Sequence, residues 1–213
     1  TLSITAVSLT STGAIEVLNG SLAVSAASTS GHLHVAAGAT FGLANVTLES
    51  GSTFSGTGTV AMNGTTTIAA NVTITLPVVL TGTVTGAGPL IVAAPMTWTS
   101  GAVSLAGGLE IAVGHTLTIG SANDHYVTNG VLRNRGTVAW TAGRILFSGT
   151  STVSNEAGAA WDAQGDHTIT WDGSGGPKTF TNLGTLRKSA GPGTLSITAV
   201  SLTNAGAIEV LNG

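Results

Sequence analysis

The sequence predicts an all-β fold, a right-handed parallel β-helix (β-solenoid) with about nine coils of roughly 22 residues in each 193-residue repeat. Three observations lead to this prediction: short runs of alternating apolar and polar residues, glycine-rich breaks between the runs, and a segment that occurs twice. Alternation over a few positions is typical of a strand with one buried face. Glycine, asparagine and serine at the breaks favour turns, and the many β-branched residues and glycines disfavour helix.

Strand-like runs follow one another along the chain. They are LSITAV (2–7), AIEVL (14–18), LHV (33–35), NVTLE (45–49), GTVAM (58–62), NVTITL (71–76), LEIAV (109–113), HTLTI (115–119) and HTITW (167–171). Each run is short and places apolar residues at alternate positions, so we expect one side of every strand to face a core. No apolar run approaches the length of a membrane-spanning helix, and the sequence predicts no membrane insertion of this segment.

The twice-occurring segment defines a large repeat. Residues 1–20 read TLSITAVSLTSTGAIEVLNG and residues 194–213 read TLSITAVSLTNAGAIEVLNG, so only positions 11/204 and 12/205 differ. Self-similarity at a fixed period is the mark of repeat architectures. We therefore expect residues 1–193 to be one full tandem unit of a continuous solenoid and residues 194–213 to be the start of the next unit.

A finer repeat lies inside the large one. FTNLGTLRK (180–188) aligns with LTNAGAIEV (202–210), and LTSTGAIEV (9–17), FSGTGTVAM (54–62) and VTGAGPLIV (84–92) fit the same template. The alignment gives a period of about 22 residues, which suits one coil of a right-handed parallel β-helix. With a rise of ~4.8 Å per coil, roughly nine coils would span about 42 Å.

The alignment of 180–188 with 202–210 also predicts which side chains stack. Arg187 falls opposite Glu209 at an outward position, which favours the correct register by a few tenths of a kcal/mol. Asn182 falls opposite Asn204, which suggests a short amide ladder. Lys188 occupies an inward position, and a lysine there indicates the end of a strand.

The composition limits the kinds of partner. Charged residues are 7% of the chain, the net charge is −3, and cysteine is absent. No lysine- or arginine-rich run offers a surface that could neutralise phosphates, so we expect no nucleic-acid partner. Neither a cofactor-binding motif nor a calcium-binding nonapeptide is present in the sequence, and we expect no cofactor.

The most enzyme-like region is WDAQGDHTITWD (161–172), with Asp162, Asp166 and Asp172. A glycoside hydrolase needs two carboxylates facing one groove, and a lyase site would add a basic residue. The candidates for that base are Arg133, Arg135, Arg144 and Lys178. Aspartates in turns more often bond their own backbone, so we assign no catalytic residue and expect the chain not to be an enzyme.

The remaining candidates are histidines and aromatic residues. His32 and His34 lie on one face of a strand, and Asp124-His125-Tyr126 follows another strand, but neither group supplies the ligand set of a metal site. We therefore assign no metal ligand and expect His32 and His34 to be solvated. Four tryptophans could form sugar-stacking platforms or fill the core, and we favour the core: Trp98, Trp140, Trp161 and Trp171.

The segment FTNLGTLRKSAGPGTLSI contains the pattern F-x-N-x-G-T-L-x-K-x-x-G-x-G-T. This pattern resembles repeats of giant bacterial secreted and surface β-helix proteins, such as autotransporter passengers and adhesins. The resemblance implies an extracellular or cell-surface, elongated and mechanically passive protein. We expect a structural protein forming a filament, fibre or sheath, with its own copies as head-to-tail and lateral partners. An adhesin stalk or glycan-binding module is the alternative, and a polysaccharide lyase or glycoside hydrolase is the least favoured.

Overall fold

The computed structural model describes residues 1–5 and 7–213, which form 29 strands and no helix. The strand pairings run parallel, and the chain winds through about ten coils, each with three faces. The predicted all-β parallel solenoid is confirmed, whereas its right-handed winding stays a prediction, favoured by the general handedness of parallel connections. Within the described ranges, no helix has the length and hydropathy to cross a membrane.

The strands are numbered in chain order and grouped here by face. The first face comprises Leu2–Ile4 (β1), Ser21–Thr29 (β4), Thr40–Leu48 (β6), Thr59–Met62 (β8), Val78–Leu80 (β11), Met96–Trp98 (β14), Thr116–Ile119 (β17), Thr137–Trp140 (β20), Ala160–Gln164 (β23), Thr185–Ala190 (β26) and Ala207–Val210 (β29). The second face comprises Leu9–Ser11 (β2), the later halves of β4 and β6, Thr65–Ile68 (β9), Thr83–Gly86 (β12), Gly101–Leu105 (β15), His125–Thr128 (β18), Arg144–Ser148 (β21), Thr168–Trp171 (β24) and Ser196–Ile197 (β27). The third face comprises Ala14–Val17 (β3), His32–Val35 (β5), Thr53–Gly56 (β7), Val72–Ile74 (β10), Leu90–Val92 (β13), Leu109–Ile111 (β16), Val131–Asn134 (β19), Ser151–Asn155 (β22), Lys178–Asn182 (β25) and Ser201–Asn204 (β28).

The first two faces belong to one sheet because two strands bend around the corner between them. Strands β4 and β6 each run across both faces, and each contains one residue with a left-handed backbone, Ala26 (φ 59°) and Asn45 (φ 57°). These bends join 19 strands into a single sheet, while the third face consists of a seven-stranded and a three-stranded sheet. Residue 6, inside the predicted run 2–7, lies outside the described residues.

Inward side chains of successive coils stack in columns along the axis. Val60, Val78 and Met96 are paired in register on the first face, and all three are buried. Burying one such side chain contributes about 1.5–3 kcal/mol of hydrophobic stabilisation. Some coils are short, as from Val72 to Leu90, and others much longer, as from Ile169 to Ile197, yet the columns stay aligned. The loops therefore absorb the variation in length.

Three tryptophans fill the interior. Trp98, Trp140 and Trp161 are fully buried, which confirms their assignment to the core, whereas Trp171 is 43% exposed and does not belong to it. Trp140 lies beside Ala163 on the adjacent strand, so a large side chain is matched by a small one. Such alternation keeps the column filled without overpacking.

Glycines at the corners allow successive coils to approach closely. A Cβ atom on Gly184 would overlap the carbonyl oxygen of Ala159, and one on Gly206 would overlap that of Gly184. Both glycines occupy the invariant position of the corner template, at 180–188 and 202–210. The template glycine is thus required by backbone contact with the coil beneath it.

We predict that Trp140→Ala lowers the free energy of unfolding by about 3–5 kcal/mol, because it leaves a cavity between packed coils. The matched control is Trp171→Ala, which removes an exposed ring and should cost less than about 1 kcal/mol. Chemical denaturation followed by tryptophan fluorescence and circular dichroism measures both. Equal losses in the two variants would contradict the assignment of Trp140 to the core.

Candidate functional site

The most distinctive side-chain arrangement lies at three corners between the first and second faces. The corner tetrapeptides are WTSG (98–101), WTAG (140–143) and KSAG (188–191), and each follows the one before it by two coils. Each ends in a glycine with a left-handed backbone: φ is 82° at Gly101, 77° at Gly143 and 82° at Gly191. A left-handed residue turns the chain sharply, and glycine adopts this conformation without steric cost.

The first residue of each tetrapeptide donates a hydrogen bond to the carbonyl two positions later. Trp98 Nε1 donates to Ser100 O (2.9 Å), Trp140 Nε1 to Ala142 O (3.0 Å), and Lys188 Nζ to Ala190 O (2.8 Å). A carbonyl that leaves the strand ladder at a corner needs another donor, because an unpaired buried carbonyl is costly. The indole or ammonium group supplies that donor from inside the solenoid.

Lys188 corrects one sequence prediction. The strand β26 continues two residues beyond Lys188, to Ala190, so the prediction that the strand ends at Lys188 is wrong, although the pairing with β29 ends at Lys188 and the chain turns the corner over 188–191. Lys188 is only 4% exposed, and its Nζ also donates to Gly191 O (2.6 Å) and contacts Asp166 Oδ1 (3.1 Å). A buried lysine is tolerated here because its hydrogens are bonded and a carboxylate balances its charge.

Two Asp-His pairs, Asp124-His125 and Asp166-His167, accompany the two tryptophan corners. The second pair follows the first at the same two-coil interval as the tryptophans. The His125 ring meets Trp98 edge-on with 5.1 Å between ring centroids, and the His167 ring stacks on Trp140 at 4.7 Å. Sequence analysis at a one-coil period missed this two-coil repeat, although W-T-x-G and D-H recurring together at one common interval signal it.

A cation is paired with each aspartate of these pairs. Arg144 donates from Nε and Nη2 to the two carboxylate oxygens of Asp124 (2.8 and 2.7 Å). Lys188 bonds to Asp166 and thereby lowers the pKa of that carboxyl. Each aspartate is therefore held by the cation of the following coil, and the pairs tie neighbouring coils together.

Both histidines favour the neutral form. Burial lowers the pKa of His125 below its ordinary value, although its contacts with the carbonyl oxygens of Arg144 (3.3 Å) and Trp98 (3.1 Å) oppose the shift. Burial likewise lowers the pKa of His167. Both rings lie against interior tryptophans, and the His125 ring also contacts backbone carbonyl oxygens on the two neighbouring coils.

The three aspartates of the enzyme-like region have separate partners. Asp162 Oδ2 accepts from Gln164 (3.0 Å), and Asp166 pairs with Lys188. Asp172 accepts from the backbone N–H (3.0 Å) and hydroxyl (2.5 Å) of Ser174, which lowers the pKa of Asp172 to about 2. Asp172 thus bonds its own turn, as expected of an aspartate at such a position.

The four basic candidates also have partners of their own. Arg133 contacts Glu110 and Glu156, Arg135 contacts Glu110, Arg144 contacts Asp124, and Lys178 donates to the carbonyl oxygens of residues 174–176. The structure pairs none of these four cations with Asp162, Asp166 or Asp172 in the described ranges. The carboxylates and cations that were candidates for one groove are thus distributed among structural contacts.

The paired histidines of the third face are bonded to hydroxyl groups. The ring nitrogens of His32 contact Thr53 Oγ1 (2.9 Å) and Ser55 Oγ (2.8 Å), and His34 Nδ1 contacts Ser55 Oγ (2.9 Å). His32 is exposed and His34 is half-buried. Over residues 1–5 and 7–213, no group of three or more potential ligands could hold a metal ion.

A ladder of asparagines runs inside the third face. Asn134 Nδ2 donates to Asn155 Oδ1 (2.8 Å), Asn155 to Asn182 (2.7 Å) and Asn182 to Asn204 (2.7 Å). The predicted contact between Asn182 and Asn204 is confirmed, and the ladder extends two coils further. The predicted pair Arg187–Glu209 is also confirmed, with Nε and Oε2 2.8 Å apart.

Comparison with known proteins finds no matching family model, no matching curated protein and no matching solved structure. The assignment of the solenoid and of its corners therefore rests on the geometry of the chain itself.

We predict that Asn155→Ala lowers the free energy of unfolding by about 1–3 kcal/mol for each buried partner left unpaired. The groups losing a bond would be Asn182 Oδ1 and the carbonyl of Thr185, which accept from Asn155, and Asn134 Nδ2, which donates to it. The control is Asn204→Ser, which places on the exposed last rung the residue found at Ser11, and it should cost under about 1 kcal/mol. Urea titration measures both; an Asn155→Ala variant as stable as the control would refute the ladder's role.

We predict that stability declines as the pH falls from 7.5 to 5.5. A histidine whose pKa is lowered by folding contributes stability that is fully present above its ordinary value of 6.5 and is lost as the pH falls toward the folded pKa. His125→Leu should reduce the difference in melting temperature between pH 7.5 and pH 5.5, and His125→Leu combined with His167→Leu should reduce it further. An unchanged pH dependence in the double variant would contradict this account.

Proposed function

We propose that this chain is a structural protein, one period of a long tandem-repeat β-solenoid that forms an extracellular filament, fibre or sheath. The observation that carries the proposal is the run of parallel coils that includes both copies of the repeated segment, β1–β3 and β27–β29. A solenoid grows by adding coils to an open edge, and each coil contacts only its neighbours. Such a unit suits an assembly of indefinite length.

The mechanical basis would be the backbone hydrogen bonds that run along the axis. Strands paired in parallel place their hydrogen bonds in the direction of stacking, so a pull along the axis loads every face of a coil together. The interior columns and the asparagine ladder add continuous contacts in the same direction. The low content of charged residues leaves outer faces rich in threonine and serine, which suits lateral packing of rods.

The partners of such a protein would be further copies of itself, joined head to tail and side by side. The extracellular location and the bacterial origin come with the resemblance to giant secreted and surface β-helix proteins. The distribution of Asp162, Asp166 and Asp172 among separate contacts supports this structural role over a polysaccharide lyase or glycoside hydrolase, which needs convergent carboxylates.

An adhesin stalk or glycan-binding surface module is the second candidate. One observation favours it: Trp171 is exposed, and the Lys178 ammonium lies 5.0 Å from the centre of its ring. An exposed indole can stack on a sugar ring and donate its N–H to a hydroxyl, while Lys178, which is 7% exposed and bonded to the carbonyl oxygens of residues 174–176, holds the ring in place. The three buried tryptophans cannot join such a platform, so this surface would rest on Trp171 alone.

We predict that antibodies against this chain label extracellular fibres on source cells in immunogold electron microscopy. A power spectrum along those fibres should show a strong layer line near ~4.8 Å and an axial repeat of about 40–45 Å, set by roughly nine coils per unit. Label restricted to the cell interior, or short isolated rods without the axial repeat, would refute the filament. Retention of the chain on a glycan array, abolished by Trp171→Ala, would favour the adhesin instead.

A further inference from the structure

The repeated twenty-residue segment occupies different faces in its two positions. In the first copy, β1, β2 and β3 lie on the first, second and third faces; in the second copy, the equivalent strands β27, β28 and β29 lie on the second, third and first faces. Equivalent residues point inward in both copies. Ile15 is paired with Leu33, and its equivalent, Ile208, is paired with Leu186. One full unit of the repeat therefore equals nine complete coils and one further face.

The corner template shows that one sequence pattern fits more than one corner. At 54–62 and 180–188 it turns the chain from the third face to the first, whereas at 9–17 and 84–92 it turns the chain from the second face to the third. The motif thus serves two of the three corners. The repeated segment forms the same strands and turns in two positions that differ by one face.

We propose that the open edge of the last coil, formed by β27, β28 and β29, is the docking surface for a following unit that begins with the sequence of residues 21–35. Each unit would be rotated by one face, a third of a turn, relative to the unit before it. This inference rests on the proposed function, since it assumes that units follow one another along a solenoid. The edge holds an open apolar cavity of about 380 Å³ lined by Leu186, Leu195, Ile197, Leu202, Ile208 and Val210.

The first copy shows how residues 21–35 cover this segment. Strand β4 lies over β1 and β2, and β5 lies over β3, with Val24 paired to Ile4 and Val35 paired to Val17. The covered Val17 is 5% exposed, whereas its equivalent Val210 is 69% exposed. The same covering strands would therefore bury the second copy in a register that the protein already uses.

The surroundings of the template glycine also favour a further coil on the other side of the segment, beneath the first copy. A Cβ atom on Gly206 would overlap the carbonyl oxygen of Gly184 in the coil beneath, but one on Gly13 would meet no atom within 4 Å. The two glycines are equivalent positions of the repeat. Gly13 gains the same steric role when a preceding unit lies beneath the first copy.

The displacement by one face has a consequence for the whole filament. After three units the starting face is regained, at 28 coils and an axial length of about 134 Å for a rise of ~4.8 Å. A surface feature such as the loop 172–177 then recurs on all three sides of the rod. A filament of this kind would offer lateral contacts in three directions.

Introduced cysteine pairs test both the docking and the rotation, because the chain has no cysteine of its own. The protein to test is a two-unit chain, residues 1–213 followed by a second copy of residues 21–213. Paired Cα atoms on neighbouring strands lie about 4.8 Å apart, within the disulfide range of roughly 4.4–6.8 Å. Mild oxidation followed by peptide mass spectrometry identifies each link, and Glu16→Cys with His34→Cys is the positive control.

Two pairs report the rotation. Arg187→Cys with Glu209→Cys should form a link, because these residues are paired on the first face. Thr181→Cys with Glu209→Cys should remain reduced, because Glu209 lies on the first face and Thr181 on the third. The two residues would be neighbours only if the unit comprised nine whole coils. A link in the second pair without one in the first would overturn the rotation.

A third pair reports the docking. Glu209→Cys should link, within one chain, to a cysteine at the second-unit counterpart of His34. Failure of this link while Arg187→Cys and Glu209→Cys still join, or links only between separate chains, would overturn docking of the following unit. Intrachain linkage together with an absence of extracellular fibres would leave the docking intact and refute the filament, so the two proposals fail separately.

Discussion

Parallel pairing between successive coils is the constraint on which the rest of this molecule depends. Each coil presents the same inward positions to the next, so the backbone hydrogen bonds of one face continue only if the other two faces stay in register. Short and long coils both satisfy this condition because the extra residues lie in corners and loops. The loop 172–177 is the clearest case. Lys178 donates to carbonyl oxygens of this loop, and strand β25, which begins at Lys178, is paired in register with β22 from its first residue.

Polar groups in the interior follow from the same constraint. At a corner the backbone leaves the ladder, and side chains from the interior donate to its carbonyl oxygens. Trp98, Trp140 and Lys188 each donate to the carbonyl oxygen two positions later, so a lysine can take the place of a tryptophan at this corner. The lysine then requires Asp166, since a buried charge is stable only with a partner.

The sequence predicted the features that recur from each coil to the next. Alternation indicated the strands, and the one-coil alignment predicted the contacts of Arg187 with Glu209 and of Asn182 with Asn204. Features with a two-coil period were not predicted, because the Trp–His corners become visible only when residues two coils apart are compared. The strand through Lys188 was also missed, because its stability depends on carbonyl oxygens brought near by folding and not on neighbours in the sequence.

The exchange of faces between the two copies explains how a repeat can have a length unrelated to a whole number of coils. In a solenoid with unlike faces, a unit of nine and one third coils would bring incompatible surfaces together. Here the inward positions of all three faces carry mainly aliphatic residues, and the same glycine corner joins different pairs of faces. The same strand sequence therefore finds similar neighbours on two different faces: Ile15 is paired with Leu33 on the third face, and its equivalent Ile208 with Leu186 on the first. In the proposed filament, the rotation between units would follow from the length of the unit alone.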